Sequence, residues 1–266
     1  MKITFLVGNG FDLNLGLRTS YSQFLDSYLD VNQTNPPPID SFKQNIADDL
    51  DTWASAELAF GEYTSNYSGD EGREDFLVCH SHFKAALGKY LEEQETRLHY
   101  EHISGDIRTG FINGISNLKF GFRTEPSRKI DAALNALDGG FNYQFISFNY
   151  THTLDECVRI AKTYPNSMGQ RHINSTNYQN SLGKVYHVHG YTTHDMILAV
   201  NDESQIANKD LFKNAEEEDI APMIKKLANK VNEERTDEIV FEALNSSDFI
   251  YIYGMSIPIT CRQARF

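Results

Sequence analysis

The period of the hydrophobic pattern changes along the chain. Near the start, Ile3 to Val7 form a short β-branched and aromatic run that stops at a glycine, which is typical of a buried strand. Comparable runs recur at Gln144–Asn149, Val185–His189 and Asp248–Tyr253, with helical patterns between them. Alternating strands and helices predict an α/β, Rossmann-like fold, in which a mainly parallel sheet carries helices on both faces.

Between the first two strands the apolar residues repeat at intervals of three and four, which predicts helices. One stripe contains Ile39, Phe42, Ile46, Leu50, Trp53 and Phe60, and a second contains Phe76, Cys79, His80, Phe83, Leu87, Tyr90 and Leu91. We therefore predict a single domain over residues 1–266 with a helical insertion at about 39–138. A helix over Tyr21–Tyr28 would be capped by Thr19 or Ser20. Loops are predicted over 63–72 and 164–182.

Two polar residues fall on these apolar stripes. Glu57 lies one turn after Trp53, where a carboxylate either reaches solvent at the edge of the stripe or serves a site. We interpret His80 as a core histidine with a hydrogen-bond partner rather than as a ligand. The role of Glu57 stays open at this point.

Composition narrows the class of protein. The 266 residues carry a formal net charge of −13, which repels a polyanion and argues against non-specific nucleic-acid binding. The three cysteines, Cys79, Cys157 and Cys261, form no Cys-x-x-Cys pair, which fits a reducing cytosol. The apolar run at Met1-Lys2-Ile3 is too short for a signal peptide, and no stretch approaches the ~20 apolar residues of a spanning helix. We expect a cytoplasmic protein without a membrane partner. Assembly into a homo-oligomer stays open at this point.

Candidate chemistry collects at the predicted strand ends. In open α/β sheets, ligands bind at the carboxyl ends of the strands. The four strands end in Gly8-Asn9-Gly10-Phe11-Asp12, Ser147-Phe148-Asn149, His187-Val188-His189-Gly190 and Gly254-Met255-Ser256. The sequence therefore predicts that these distant groups converge on one crevice that holds a small nucleotide.

Each group has a role that its chemistry permits. Gly8 and Gly10 allow close backbone approach and can offer N–H groups to a pyrophosphate. Asn149 both donates and accepts, so it can hold a ribose hydroxyl or a water. His189 titrates near neutral pH and can act as a general base. Asp12 can fix the glycine loop or accept from a ribose hydroxyl.

Ser256 can also donate to a phosphate or a ribose in the predicted nucleotide site.

Other types of site are less well supported by the sequence. A metal at His187 and His189 is not favoured, because no cysteine cluster and no His-Glu-x-x-His motif accompanies them. For His187 we prefer a structural role in the core or behind the site. No Gly-x-Ser-x-Gly motif indicates a serine hydrolase.

Together these motifs resemble the bacterial AbiH family of phage abortive-infection proteins. The resemblance rests on Leu6-Val7-Gly8-Asn9-Gly10-Phe11-Asp12, Gly16-Leu17-x-Thr19-Ser20-Tyr21 with Phe24, Trp53 and Glu57, Phe148-Asn149-Tyr150-Thr151-x-Thr153-Leu154, His187-Val188-His189-Gly190 and Gly254-Met255-Ser256. It covers nearly the whole chain in order. It implies a defence protein that a phage or host protein triggers.

The same landmarks are more remotely similar to the sirtuin-like NAD-binding fold of defence NADases. That resemblance implies a pyrophosphate at Gly8 and Gly10, a nicotinamide ribose at Asn149, a base at His189 and a cofactor contact at Gly254 and Ser256. Asn9, Phe11, Thr19, Tyr21 and Gly190 would complete the NAD site. The sirtuin zinc cysteines have no counterpart, so protein deacylation is not implied.

Two functions follow as hypotheses. The first is an NAD glycohydrolase (NADase), with NAD as substrate, in which Asn149 positions the ribose or water and His189 accepts a proton. The alternative is a nucleotide-sensing binding module without turnover. The segment after Gly254-Met255-Ser256 departs from the usual family pattern, and this departure favours the alternative slightly.

Overall fold

The computed structural model describes residues 1–30, 34–119, 122–164, 168–192, 195–213, 215–231 and 235–255. The chain folds into two compact units. The first comprises Met1–Phe11, Leu98–Val188 and Ile239–Phe266, and the second comprises Asp12–Arg97 and His189–Glu238. The single domain expected from the sequence stays a prediction, and the helical stretch at 39–138 contributes to both units.

Helices account for most of the described chain. In order they are α1 (Gly10–Asn14), α2 (Tyr21–Leu29), α3 (Pro37–Asp48), α4 (Leu50–Trp53), α5 (Ala56–Tyr63), α6 (Gly69–Glu95), α7 (Tyr100–Ser116), α8 (Thr124–Asn135), α9 (Thr153–Lys162), α10 (Glu217–Ile220), α11 (Lys225–Val231) and α12 (Thr236–Asn245).

The first unit contains the sheet. Its strands are β1 (Lys2–Val7), β2 (Asn142–Ser147), β5 (Ser181–His187) and β6 (Phe249–Tyr253), arranged in the order β5-β2-β1-β6 with every pair parallel. The α/β prediction with a parallel sheet flanked by helices is confirmed. The chain builds outward from β1 through β2 to β5 and then returns to place β6 on the other side of β1. The strand order therefore reverses between β1 and β6, which is the position where such sheets bind ligands.

Alternation along the strands gives this sheet its two covered faces. Ile3, Phe5 and Phe145 point to one face, where they pack with Leu154 and Val158 of α9. Residues of α7 join the same cluster. On the other face, Gln144 donates through Nε2 to Thr4 Oγ1 and to the Ala243 carbonyl of α12. Helices thus lie on both faces, as expected for a parallel sheet. The strand β6 is less buried than its sequence pattern predicts, since Ile250 and Ile252 are 45% and 47% exposed.

The stretch 164–182 differs from the surface loop predicted there. Two antiparallel strands, β3 (Gln170–Ile173) and β4 (Thr176–Gln179), form a hairpin. Its two-residue turn places Asn174 and Ser175 at φ values of 46° and 65°, as in a type I′ turn. Arg171 secures the hairpin by donating to the carbonyls of Leu134, Leu137 and Gly139 at the end of α8.

The second unit has an aromatic core. Phe83 of α6 lies with its ring centroid 5.0 Å from Phe24, 5.2 Å from Phe60 and 6.0 Å from Phe42. These rings and Trp53 are at most 2% exposed, as their helical spacing predicts. Aromatic packing in edge-to-face geometry stabilises such a core beyond area burial alone.

Two details of the helical stretch differ from prediction. The stripe that starts at Ile39 is broken into α3, α4 and α5, because Asp49 ends α3 and its side chain accepts from Thr52 N–H to start α4. Leu50 is consequently 45% exposed instead of buried. The loop predicted at 63–72 is shorter, since α6 already begins at Gly69.

Candidate functional site

At the carboxyl edge of the sheet, the turns that follow β1 and β6 are hydrogen-bonded to each other. Gly8 N–H donates to the Tyr253 carbonyl over 2.9 Å, and Gly10 N–H donates to the Gly254 carbonyl over 2.9 Å. Phe11 N–H then turns back to the Gly8 carbonyl over 3.0 Å. The glycine loop is therefore joined to β6 at the point where the strand order reverses.

Side chains could not fit in this junction. A Cβ on Gly10 would lie 2.6 Å from Gly254 Cα, and a Cβ on Gly8 would lie 2.6 Å from Met255 Cγ. Gly254 has a φ of 67°, in the left-handed region that glycine tolerates best. The glycines thus have a packing role that the sequence did not reveal. The Gly8 and Gly10 N–H groups predicted to bind a pyrophosphate donate to backbone carbonyls here, and pyrophosphate binding by them stays a prediction.

Asn149 lies just past the end of β2, beside the glycine loop of the neighbouring strand. Phe148 N–H donates to the Val7 carbonyl of β1 over 2.8 Å, and Asn149 N–H donates to Ser147 Oγ over 3.2 Å, so the backbone is well fixed. The Asn149 residue is 5% exposed. Within the described residues, neither its Oδ1 nor its Nδ2 has a hydrogen-bond partner. A buried group left this way costs about 1–3 kcal/mol, and a native protein rarely keeps one without a purpose.

Thr153, the first residue of α9, is a second buried polar residue of this kind. Its side chain is fully buried, and Oγ1 finds no hydrogen-bond partner in the described part of the chain. The residue before it, His152, makes no side-chain cap to the helix. The connection from β2 to α9 therefore holds two polar side chains, an amide and a hydroxyl, with hydrogen-bonding capacity for a ligand.

His187 links the end of β5 to this same connection. Its ring is 2% exposed. Nδ1 lies 3.0 Å from the Asn149 carbonyl oxygen, and Nε2 lies 2.8 Å from Asp155 Oδ2 on the first turn of α9. The buried, hydrogen-bonded position agrees with the structural role preferred for His187 from the sequence. The sequence did not indicate a role for Asp155, because only the packing of α9 on β5 brings the side chains of Asp155 and His187 together.

In the second unit, Glu57 forms a polar cluster with Tyr21 and Lys225. Glu57 Oε1 accepts from Tyr21 Oη over 3.4 Å and lies 4.0 Å from Lys225 Nζ. Burial lowers the pKa of Lys225, and the Glu57 carboxylate opposes that decrease. The partners make Glu57 a counter-charge for a buried ammonium group rather than only an edge residue.

The predicted base, His189, also belongs to the second unit. β5 ends at His187, so His189 lies beyond the strand and not within it as predicted. The residue is 9% exposed, and its carbonyl accepts from Ile197 N–H over 2.8 Å. Gly190 follows at a φ of 66°, where a Cβ would lie 2.0 Å from the Asp195 carbonyl oxygen. Only glycine fits this sharp turn, which explains the His-Gly pair locally.

Comparison with protein families decides the family. The model of the family described as bacteriophage abortive infection AbiH matches residues 4–263. The chain belongs to the AbiH family. The chain therefore has a role in bacteriophage abortive infection. No curated protein and no solved structure matches the chain significantly.

The predicted site residues of this AbiH protein fall in both units. The first unit holds Gly8, Asn9, Gly10, Phe11, Asn149 and Gly254, and the second holds Asp12, Thr19, Tyr21, His189 and Gly190. Ser256 lies outside the described residues. The structure thus brings the glycine loop, Asn149 and Gly254 to one edge of the sheet, and the arrival of His189 at that edge stays a prediction.

Several of these residues also have structural tasks. Phe11 packs edge-on against Phe111 and Tyr253, each with a centroid separation of 6.4 Å. Asp12 is 1% exposed, and its carbonyl accepts from Leu17 N–H over 3.1 Å. Ser20, and not Thr19, caps α2 in a capping box with Gln23.

His80 is a core residue of this AbiH protein, as interpreted from the sequence. Nε2–H donates to the Leu198 carbonyl over 2.7 Å, and the Phe60 ring lies 4.8 Å away. Burial lowers the pKa of His80 to about 4, so the ring is neutral at pH 7.

A separate cavity of about 260 Å³ lies in the second unit. Its lining includes Lys84, Asp195 and Glu218. The described part of the lining contains none of the residues predicted for the nucleotide site. The volume falls below the usual range for pockets of drug-sized ligands. Among the described residues, no helix has the length and apolarity needed to cross a membrane.

Proposed function

We propose that this AbiH protein binds NAD or a related nucleotide at the carboxyl edge of its sheet and hydrolyses the N-glycosidic bond of NAD. The observation that supports the proposal best is the buried amide of Asn149, whose two polar atoms lack partners in the described chain. Vicinal ribose hydroxyls both donate and accept, so they match such an amide. The position beside the strand-order reversal is where a nucleotide would bind in this architecture.

Hydrolysis of this bond requires few catalytic groups from the protein. Water attacks C1′ of the nicotinamide ribose, the bond to the ring nitrogen breaks with its electron pair, and the products are nicotinamide, ADP-ribose and a proton. The leaving group needs no strong acid, because the departing ring carries a positive charge before cleavage. Asn149 would orient the ribose or the water, and His189 would accept the proton.

Release of nicotinamide from NAD by the purified protein tests this proposal. We expect turnover in the wild type and a loss of at least about 100-fold in His189→Ala and in Asn149→Ala. Asn142→Ala is the matched control, since Asn142 is an exposed asparagine at the opposite end of β2. Unchanged turnover in His189→Ala would remove His189 from the mechanism.

The alternative function, a nucleotide sensor without turnover, has its own support. At the sheet edge, the first unit offers hydrogen-bonding groups at Asn149 and Thr153, while both ring nitrogens of His187 are already bonded. Binding by these groups needs no base, whereas turnover relies on His189. Calorimetry with NAD, ADP-ribose and ATP separates the two functions, because binding without nicotinamide release supports the sensor.

A further inference from the structure

His187 has two hydrogen-bond partners of the same kind. The Asn149 carbonyl oxygen can only accept a hydrogen bond, and so can an ionised Asp155 carboxylate. A neutral imidazole carries one N–H and could donate to only one of them. Donation to both partners requires a proton on each ring nitrogen.

The surroundings match a charged ring. The Asp155 side chain is 30% exposed, so it keeps contact with water while it faces the buried His187 ring. A charge-assisted hydrogen bond of this type is about twice as strong as a neutral one. From β2, the residue in register with His187 is Ser147, which carries no charge.

The other charged groups of α9 are engaged elsewhere. Glu156, in the same turn as Asp155, accepts three hydrogen bonds from Arg159 at 2.7, 2.9 and 3.1 Å. Lys162 donates to the Gly183 carbonyl. Asp155 is therefore the charged residue on this helix that contacts His187.

We propose that His187 is an imidazolium held by Asp155 and that this pair is the positioning device for Asn149. The ring ties the backbone carbonyl of Asn149 to the first turn of α9, so it fixes the loop that carries the unpartnered amide. As far as it concerns catalysis, this inference rests on the proposed function. His187 and Asp155 act through Asn149 and are positioning residues, not groups that touch the substrate.

The protonation state can be measured without any substrate. In protein labelled with ¹⁵N-histidine, long-range proton–nitrogen spectra at pH 7 should show two protonated ring nitrogens for His187. Asp155→Asn should leave a single N–H, at Nδ1, bonded to the Asn149 carbonyl. Glu156→Gln removes the same charge from the same turn and should leave the ring unchanged. A wild-type ring with one protonated nitrogen would overturn the proposal.

The positioning role is tested by two further readouts. Hydrogen exchange of the Asn149 backbone N–H should be at least about tenfold faster in Asp155→Asn than in Glu156→Gln, because the charge-assisted hydrogen bond that ties the His187 ring to α9 becomes a weaker neutral one. If NAD is turned over, Asp155→Asn should lower kcat at least about tenfold with little change in KM, since misplaced groups impair the transition state most.

The outcomes separate the two proposals. Absence of both NAD binding and turnover in the wild type refutes the proposed function, while the ring spectra and the exchange rates still decide on the positioning pair. Wild-type exchange at Asn149 together with wild-type kcat in Asp155→Asn would overturn the positioning role, whatever the ring protonation.

Discussion

Gly10 donates its N–H to the carbonyl of Gly254 over 2.9 Å, and a Cβ on Gly10 would lie only 2.6 Å from Gly254 Cα. Residues from the two ends of the described chain therefore meet backbone to backbone. This contact joins β1 to β6 at the edge where we place the nucleotide. The glycine loop thus depends on β6 for its shape.

Gly10→Ala should destabilise the protein by about 2 kcal/mol, because the added methyl group overlaps backbone atoms that cannot rotate away. Chemical denaturation at pH 7 measures the free energy of unfolding. Gly110→Ala is the control, since Gly110 is exposed on α7 with open space around it, and alanine there should stabilise by roughly 0.5–1 kcal/mol. Equal stability of the two variants would show that the turns do not need their close approach.

Glu57→Gln should destabilise the second unit by about 1 kcal/mol at pH 7. The buried ammonium group of Lys225 loses its counter-charge, and the pKa of Lys225 falls further. Urea unfolding gives the difference from wild type. In the more exposed pair Lys230–Glu217, the change Glu217→Gln should cost less than about 0.5 kcal/mol. A larger loss of unfolding free energy in Glu217→Gln than in Glu57→Gln would contradict the role of Glu57 as the counter-charge of Lys225.

His80 should make the protein sensitive to acid. Its folded pKa of about 4 lies below the ordinary value of 6.5, so the unfolded chain binds the proton more readily. The stability is fully present above pH 6.5 and is lost as the pH falls from 6.5 to 4, by up to ~3 kcal/mol. Unfolding free energies measured between pH 7 and pH 4 should fall less steeply in His80→Gln, which keeps a donor for the Leu198 carbonyl. Replacement of the exposed His172 by glutamine should leave the slope unaltered.

Strands and core helices followed from local patterns. The β-branched and aromatic runs at Ile3–Val7 and Asp248–Tyr253 predicted β1 and β6, and the aromatic spacing predicted that Trp53 and Phe83 are buried. The helix α7 falls within the predicted helical insertion but was not predicted as a separate helix, because Gly105, Gly110 and Gly114 weaken its helical signal; it packs against α9. The β3–β4 hairpin escaped because its residues are polar and its turn uses Asn174-Ser175 instead of Asn-Gly.

The sequence predicted where some candidate site residues lie in the fold, but it did not predict their contacts. The strand-end rule correctly selected Asn149 and the glycine loop for one edge of the sheet. The pairing of His187 with Asp155 depends on how α9 lies against β5, which no local pattern encodes. The use of the Gly8 and Gly10 N–H groups by β6 is likewise a long-range contact. Sequence reasoning therefore identified groups suited to a ligand but could not say which of them the fold had already engaged.

The central claim is that the amide of Asn149 is kept for a ligand, and Asn149→Leu tests it most directly. Leucine has a similar shape and removes both unpartnered polar atoms, so the ligand-free protein should become more stable by ~1–2 kcal/mol. The same variant should lose binding of ADP-ribose in calorimetry, while Asn142→Leu at the opposite end of β2 should retain it. A variant that is less stable than wild type yet binds ADP-ribose equally well would show that Asn149 serves the fold and not a nucleotide.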